Sequence, residues 1–140
     1  MTAAPYLIAV VALLVLDLMW LTIGGTAHKF KSIAESIGPI EPYESVKRFA
    51  FAAGAYVLLA TAVCLLLSLD KSILLSLVFG CLAGLVIYGV FDCTNLVVFG
   101  KAYTLNVALV DICWGTFVIG FSVFLGAIVR EKLRNSCCRG

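Results

Sequence analysis

Four stretches of this chain are long and apolar enough to cross a bilayer: residues 5–24, 49–69, 72–99 and 104–129. A hydrocarbon core about 30 Å thick is spanned by about 20 helical residues. Inside hydrocarbon each backbone N–H and C=O must find its partner within its own segment, so runs of this length are helices. The whole chain agrees: 63% of its 140 residues are hydrophobic, where a soluble domain is nearer half. The charged residues, 13% of the chain, fall mainly between the runs and in the tail. This predicts an integral, multi-pass membrane protein. One four-span domain covers residues 1–129, and a basic, cysteine-containing tail covers 130–140. No Lys or Arg precedes the first run and Asp17 interrupts it, which points to a retained span rather than a cleaved signal.

The connections set the topology. Spans two and three are joined by a tight polar turn at Asp70-Lys71, and spans three and four by a short link through Gly100 and Lys101. Short links make neighbours antiparallel, so the expected fold is an all-α, up-down-up-down four-helix bundle. The only long connection runs from Gly25 to Arg48. Within it Phe30, Ile33, Ala34 and Ile37 recur at i, i+3, i+4 and i+7, with Lys29, Lys31, Glu35 and Ser36 between them. That pattern predicts an amphipathic helix of about three turns, lying at the membrane interface with its apolar face down. Gly38-Pro39 ends it, and Pro42 is expected to keep the next stretch irregular.

Three of the four aspartates, Asp17, Asp92 and Asp111, lie inside the apolar runs. A charged side chain at the bilayer centre costs about 2.5–3.5 kcal/mol on the most lenient scale, so each is retained for function or for helix assembly. Each lies seven residues from a span end, at Gly24, Phe99 and Thr104, and those ends share one membrane face. At 1.5 Å per residue the carboxylates sit roughly 10 Å below that face. His28, Lys47, Arg48 and Lys101 and the interfacial helix are expected on the same side. The spacing therefore predicts a shallow acidic pocket with a basic rim and a lid.

Helical periodicity adds further residues to that pocket. Tyr88, Asp92 and Asn95 stack on span three; Asp111, Trp114 and Gly115 share a face of span four; Leu13, Asp17, Trp20 and Leu21 share one of span one. Both tryptophans follow an aspartate by three residues, in Asp17-x-x-Trp20-x-Thr22 and Asp111-x-x-Trp114-x-Thr116. Trp114 is deep enough to belong to the pocket, whereas Trp20, near a helix end, can equally be an interface anchor. Gly80, Gly84, Gly89 and Gly115 are the candidate packing positions, since small residues let helices approach closely in lipid.

Several readings are disfavoured. The net charge of +2 and the scattered basic residues do not suggest nucleic acid. Asp92, Cys93, Asp111 and Cys113 do not form a metal site, because Asp111 and Cys113 point about 200° apart on a helix. No cofactor is expected. Cys137 and Cys138, beside Arg in the tail, are candidate lipidation sites or free thiols of a solvated tail. Five basic residues on each side leave the positive-inside rule tied; the dense basic tail favours cytoplasmic termini.

Tyr88-Gly89-x-x-Asp92-x-Thr94-Asn95-Leu96, followed by Leu109-Val110-Asp111-x-x-Trp114-Gly115-Thr116, resembles the signature of a predicted bacterial membrane-protein family, domain of unknown function 2177. Leu16-Asp17-x-x-Trp20-Leu21 fits the N-terminal pattern of that family. The resemblance runs to about Val129 and leaves the tail outside it. It implies a fold and a set of important residues, and no reaction.

Three function classes follow. The first is a protein that binds a small cation, a proton or a polar or lipid ligand in the acidic pocket. Such a protein could act as a transporter, with Asp17, Asp92, Asp111, Asn95, Trp114, Tyr88 and Trp20 as its site. The second is a membrane enzyme acting on a lipid-like substrate with paired carboxylates, a class disfavoured by the absence of a nucleophile arrangement. The third is a structural subunit whose aspartates hold the bundle together. The lipid bilayer is the expected partner, with a homodimer or a larger membrane complex open.

Overall fold

The computed structural model describes residues 2–23, 31–33, 35 and 42–137. It has four long helices, α1 (Ala4–Ile23), α2 (Pro42–Ser68), α3 (Ile73–Phe99) and α4 (Leu105–Cys137), and a 3₁₀ turn at Gly100–Ala102. All four contain a segment long and apolar enough to cross a membrane, and there is no strand among the described residues. The fold is the expected all-α membrane bundle.

Local chemistry explains the two short links. α2 closes as the Leu69 and Asp70 amides donate back to Leu66 and Leu67, and Asp70 takes a left-handed backbone at φ +49. The Ser72 hydroxyl then accepts from the Leu75 amide at 3.4 Å and caps α3. At the other end Gly100, at φ +50, turns the chain out of α3. The Thr104 hydroxyl accepts from the Val107 amide to open α4.

Two boundaries differ by several residues from the sequence reading. α2 begins at Pro42, not at residue 49, so the stretch expected to be irregular is helical. Proline fits this place because the first turn of a helix needs no amide donor and its φ is already helical. α4 continues past Val129 to Cys137, so the basic tail is helical as far as it is described. There the Arg134 guanidinium pairs with Glu131 one turn back. In the long connection, residues 31–33 and 35 are helical, Lys31 and Glu35 pair across the exposed side at 3.7 Å, and Ile33 is buried. His28, Lys29, Phe30, Ala34, Ser36, Ile37, the Gly38-Pro39 stop and Cys138 lie outside the described residues.

α4 is the hub. Of its most apolar 18-residue window 44% is buried, against 11% for α2. Val118, Ile119, Val123 and Ala127 of α4 meet Ala9 and Leu13 of α1 and Val63 and Leu67 of α2 in the core. Against α3 the contact is backbone to backbone. A Cβ on Gly84 would lie 2.4 Å from the Gly115 carbonyl oxygen, and one on Gly80 2.9 Å from the Gly120 Cα. Lipid is as apolar as leucine, so such close approach, rather than escape from water, is what holds helices together. Gly89 does not share this role: a Cβ there meets nothing within 4 Å.

Candidate functional site

The three acids lie near one end of the bundle. Asp17 is six residues before the end of α1, Asp92 seven before the end of α3, and Asp111 six after the start of α4. Each is therefore about 10 Å along its helix from that end. All three are buried, at 7%, 0% and 6% exposure. Asp111 lies within electrostatic reach of both others.

The duplicated motif is used reciprocally. The Trp114 indole N–H of α4 donates to Asp17 Oδ1 on α1 at 3.2 Å, and the Trp20 indole N–H of α1 donates to Asp111 Oδ1 on α4 at 3.2 Å. Between these exchanged bonds the two indoles stack, with centroids 4.7 Å apart and planes 11° from parallel. Trp20 is thus tied to the acids rather than being only an anchor. Two phenols complete the shell of Asp17: Tyr56 of α2 donates to Oδ2 at 2.7 Å and Tyr88 of α3 to Oδ1 at 3.3 Å. One carboxylate on α1 therefore collects a donor from each of the other three helices. Gly115 makes this possible, since its missing side chain is the space the Tyr88 ring occupies; a Cβ would fall 2.0 Å from that ring.

Asp92 has a separate set of partners. The Tyr103 hydroxyl donates to Asp92 Oδ1, and Asn95 is hydrogen-bonded to Tyr103 in turn. Asp92 Oδ2 is buried with no hydrogen-bond partner among the described residues. Tyr103, in the link between α3 and α4, packs with Ile33 of the long connection and Ala108 of α4. Burial first, and then the bond to Asp92, push the Tyr103 phenol above its ordinary range, so it remains a donor. Of the stretch expected to form a lid, Ile33 is the buried hydrophobic residue among those described.

Every hydrogen bond described to the three acids comes from an aromatic N–H or O–H. The threonines of the motifs do not take part: Thr22, Thr94 and Thr116 each donate to a carbonyl of their own helix. Among the described residues no basic side chain pairs with Asp17, Asp92 or Asp111. Nor do three His, Cys, Asp or Glu side chains converge there as a metal-ligand set.

Asp17 also faces a cleft. A volume of about 480 Å³ opens between α1, α2 and α3; its surface is almost wholly apolar, with Leu59, Ile87 and Phe91 among its walls, and Asp17, Tyr56 and Tyr88 line it with their polar atoms turned largely toward one another. Tyr56 and Tyr103 were missed by the sequence reading, because span two carries no motif and Tyr103 sits in a link. The signal was a phenol beside or within an apolar run, which seeks a partner when buried.

A family model described as a predicted membrane protein, DUF2177, matches residues 2–128. The chain belongs to the DUF2177 family. No curated protein and no solved structure matches it. The matched residues of this DUF2177 protein include all three acids, both tryptophans and the tyrosines that bond them, and stop before most of the basic tail. With its four apolar helices it is an integral membrane protein.

Proposed function

We propose that this DUF2177 protein binds a positively charged ligand in a shallow intramembrane pocket and moves it between that pocket and the nearer membrane face. Asp17 is the anionic centre, and Asp111 and Asp92 stand behind it. The carrying observation is Asp17 lining an open cleft with, among the described residues, only uncharged aromatic donors to it. An intramembrane acid with no basic partner among the described residues favours a cation or a proton. The reciprocal Trp–Asp bonds link that centre to Asp111, so occupation of one acid is transmitted to the other through the stacked indoles.

Currents from proteoliposomes on a solid-supported membrane test this reading. Na⁺, K⁺, choline and a tetraalkylammonium are applied in turn to the wild type and to Asp17→Asn. At least one cation is expected to give a wild-type signal that the variant loses. Signals absent for every cation, or unchanged in Asp17→Asn, overturn it. A second reading, assembly alone, is favoured by one feature: the Asp17 carboxylate ties α1 to α2, α3 and α4. On that reading Asp17→Asn unfolds the bundle instead of emptying the pocket.

A further inference from the structure

The proposed function leaves the kind of cation open. We infer that the α1–α2–α3 cleft takes a hydrophobic organic cation that enters sideways from the lipid; this rests on the reading of Asp17 as the anionic centre.

The lining decides the class. Among the described lining residues only Asp17, Tyr56 and Tyr88 carry a polar side-chain atom, and the others are alanine, leucine, isoleucine and phenylalanine. Both phenols already direct their protons at Asp17. A hard inorganic cation needs about six oxygen ligands to replace its water, and the described lining residues do not supply them. An alkylated or arylated cation carries its charge at low density, holds little water and gains by burying apolar surface. The rings of Tyr56 and Tyr88 offer it further attraction through their faces. The volume of about 480 Å³ lies within the range of sites for drug-sized ligands.

The access route follows from α2. Its second half is seated in the core through Val63 and Leu67, whereas Phe49 and Phe51 in its first half are each 78% exposed. Leu58 and Phe91, at the edges of the cleft, are 72% and 49% exposed, so the opening faces outward between α2 and α3. In a bilayer that surroundings is hydrocarbon, into which a lipophilic cation partitions before it meets Asp17. A second cleft on the other side of α2 provides a built-in contrast. It measures about 520 Å³ and is lined by Tyr6, Thr61, Cys64 and Ser68 among apolar residues, with no charged group among the described lining residues. The two clefts are alike in volume, and only the one beside Asp17 has a charged group among its described lining residues.

The test pairs tetraphenylphosphonium with tetraphenylborate, ions of one shape and opposite charge. Binding to the full chain in lipid nanodiscs is measured by equilibrium dialysis. Tetraphenylphosphonium is expected to bind saturably and tetraphenylborate not. Asp17→Asn, with its fold checked by circular dichroism, is expected to weaken tetraphenylphosphonium binding at least tenfold. Leu58→Trp, at a position facing out of the bundle, is expected to fill the mouth of the cleft and block binding with the charge intact. Equal binding of both ions, or unweakened binding in either folded variant, overturns the inference. If Asp17→Asn does not fold, Leu58→Trp decides alone. If tetraphenylphosphonium fails while an inorganic cation gives an Asp17-dependent signal, the ligand class is wrong and the proposed function stands. If neither gives one, both fall.

Discussion

The two ends of this bundle are built differently from similar material. At the end holding the α2–α3 turn, α2 is seated by Val63 and Leu67, and α3 meets α4 through glycines. Arg130 locks that turn: its guanidinium donates to the Leu67 and Lys71 carbonyls and lies 3.3 Å from the Asp70 carboxylate. At the end holding the acids, Phe49 and Phe51 of α2 are largely exposed, and among the described residues the Tyr56–Asp17 hydrogen bond ties this half of α2 to the bundle. The difference teaches that backbone approach closes one end and polar side chains lace the other. The cleft beside Asp17 opens at the laced end; the one beside Cys64 and Ser68, at the other end, has no charged group among its described lining residues.

The largest effect is expected in the seam. Gly84→Ala sets a Cβ against the Gly115 carbonyl and the Thr116 Cα, both backbone atoms that cannot rotate away, and should destabilise by about 3 kcal/mol. Unfolding in detergent followed by circular dichroism measures it. A loss below 1 kcal/mol would mean that the glycine contact is not what holds that end.

Arg130→Ala should cost about 1.5 kcal/mol, because the carbonyls at the end of α2 lose their donor while part of the site is wet. The same titration reads it. Arg130→Lys is expected to restore little, since one ammonium cannot reproduce the guanidinium fork. Full rescue by lysine would show that charge, not geometry, closes the turn.

At the laced end the effects are smaller. Tyr56→Phe and Trp114→Phe each remove one hydrogen bond to Asp17 and should cost about 0.6 kcal/mol apiece, the average for such bonds in membranes. A loss of several kcal/mol in Tyr56→Phe would show that α2 depends on the acid for its place and would erase the contrast between the ends. Smallest of all is Gly89→Ala. With open space at its Cβ, it should be neutral or stabilising by about 0.5 kcal/mol, and a marked loss there would reveal a contact made outside this chain.

Much of the fold was legible because its rules are local. Asp70-Lys71 and Gly100-Lys101 interrupt apolar runs, and the turns fall there. The alignment of Asp17, Asp92 and Asp111 near one end followed from counting residues, since helix rise is constant. Gly80 and Gly84 were readable as close-packing positions, and Gly89 was misread because a glycine on a helix does not declare which way it faces. Pro42 was misread because the same residue that breaks a helix interior opens a helix at its first turn.

By itself the sequence determined four membrane-crossing helices, their antiparallel order and the shared depth of the acids. Hydrocarbon thickness and helical geometry act on each segment alone. Only the tertiary structure decided that each tryptophan serves the other motif's aspartate, that Tyr56 and Tyr103 join the acids, and that α2 leaves a cleft beside Asp17. In lipid the packed face and the exposed face of a helix are equally apolar, so no periodicity in the chain marks which helix will lie against which.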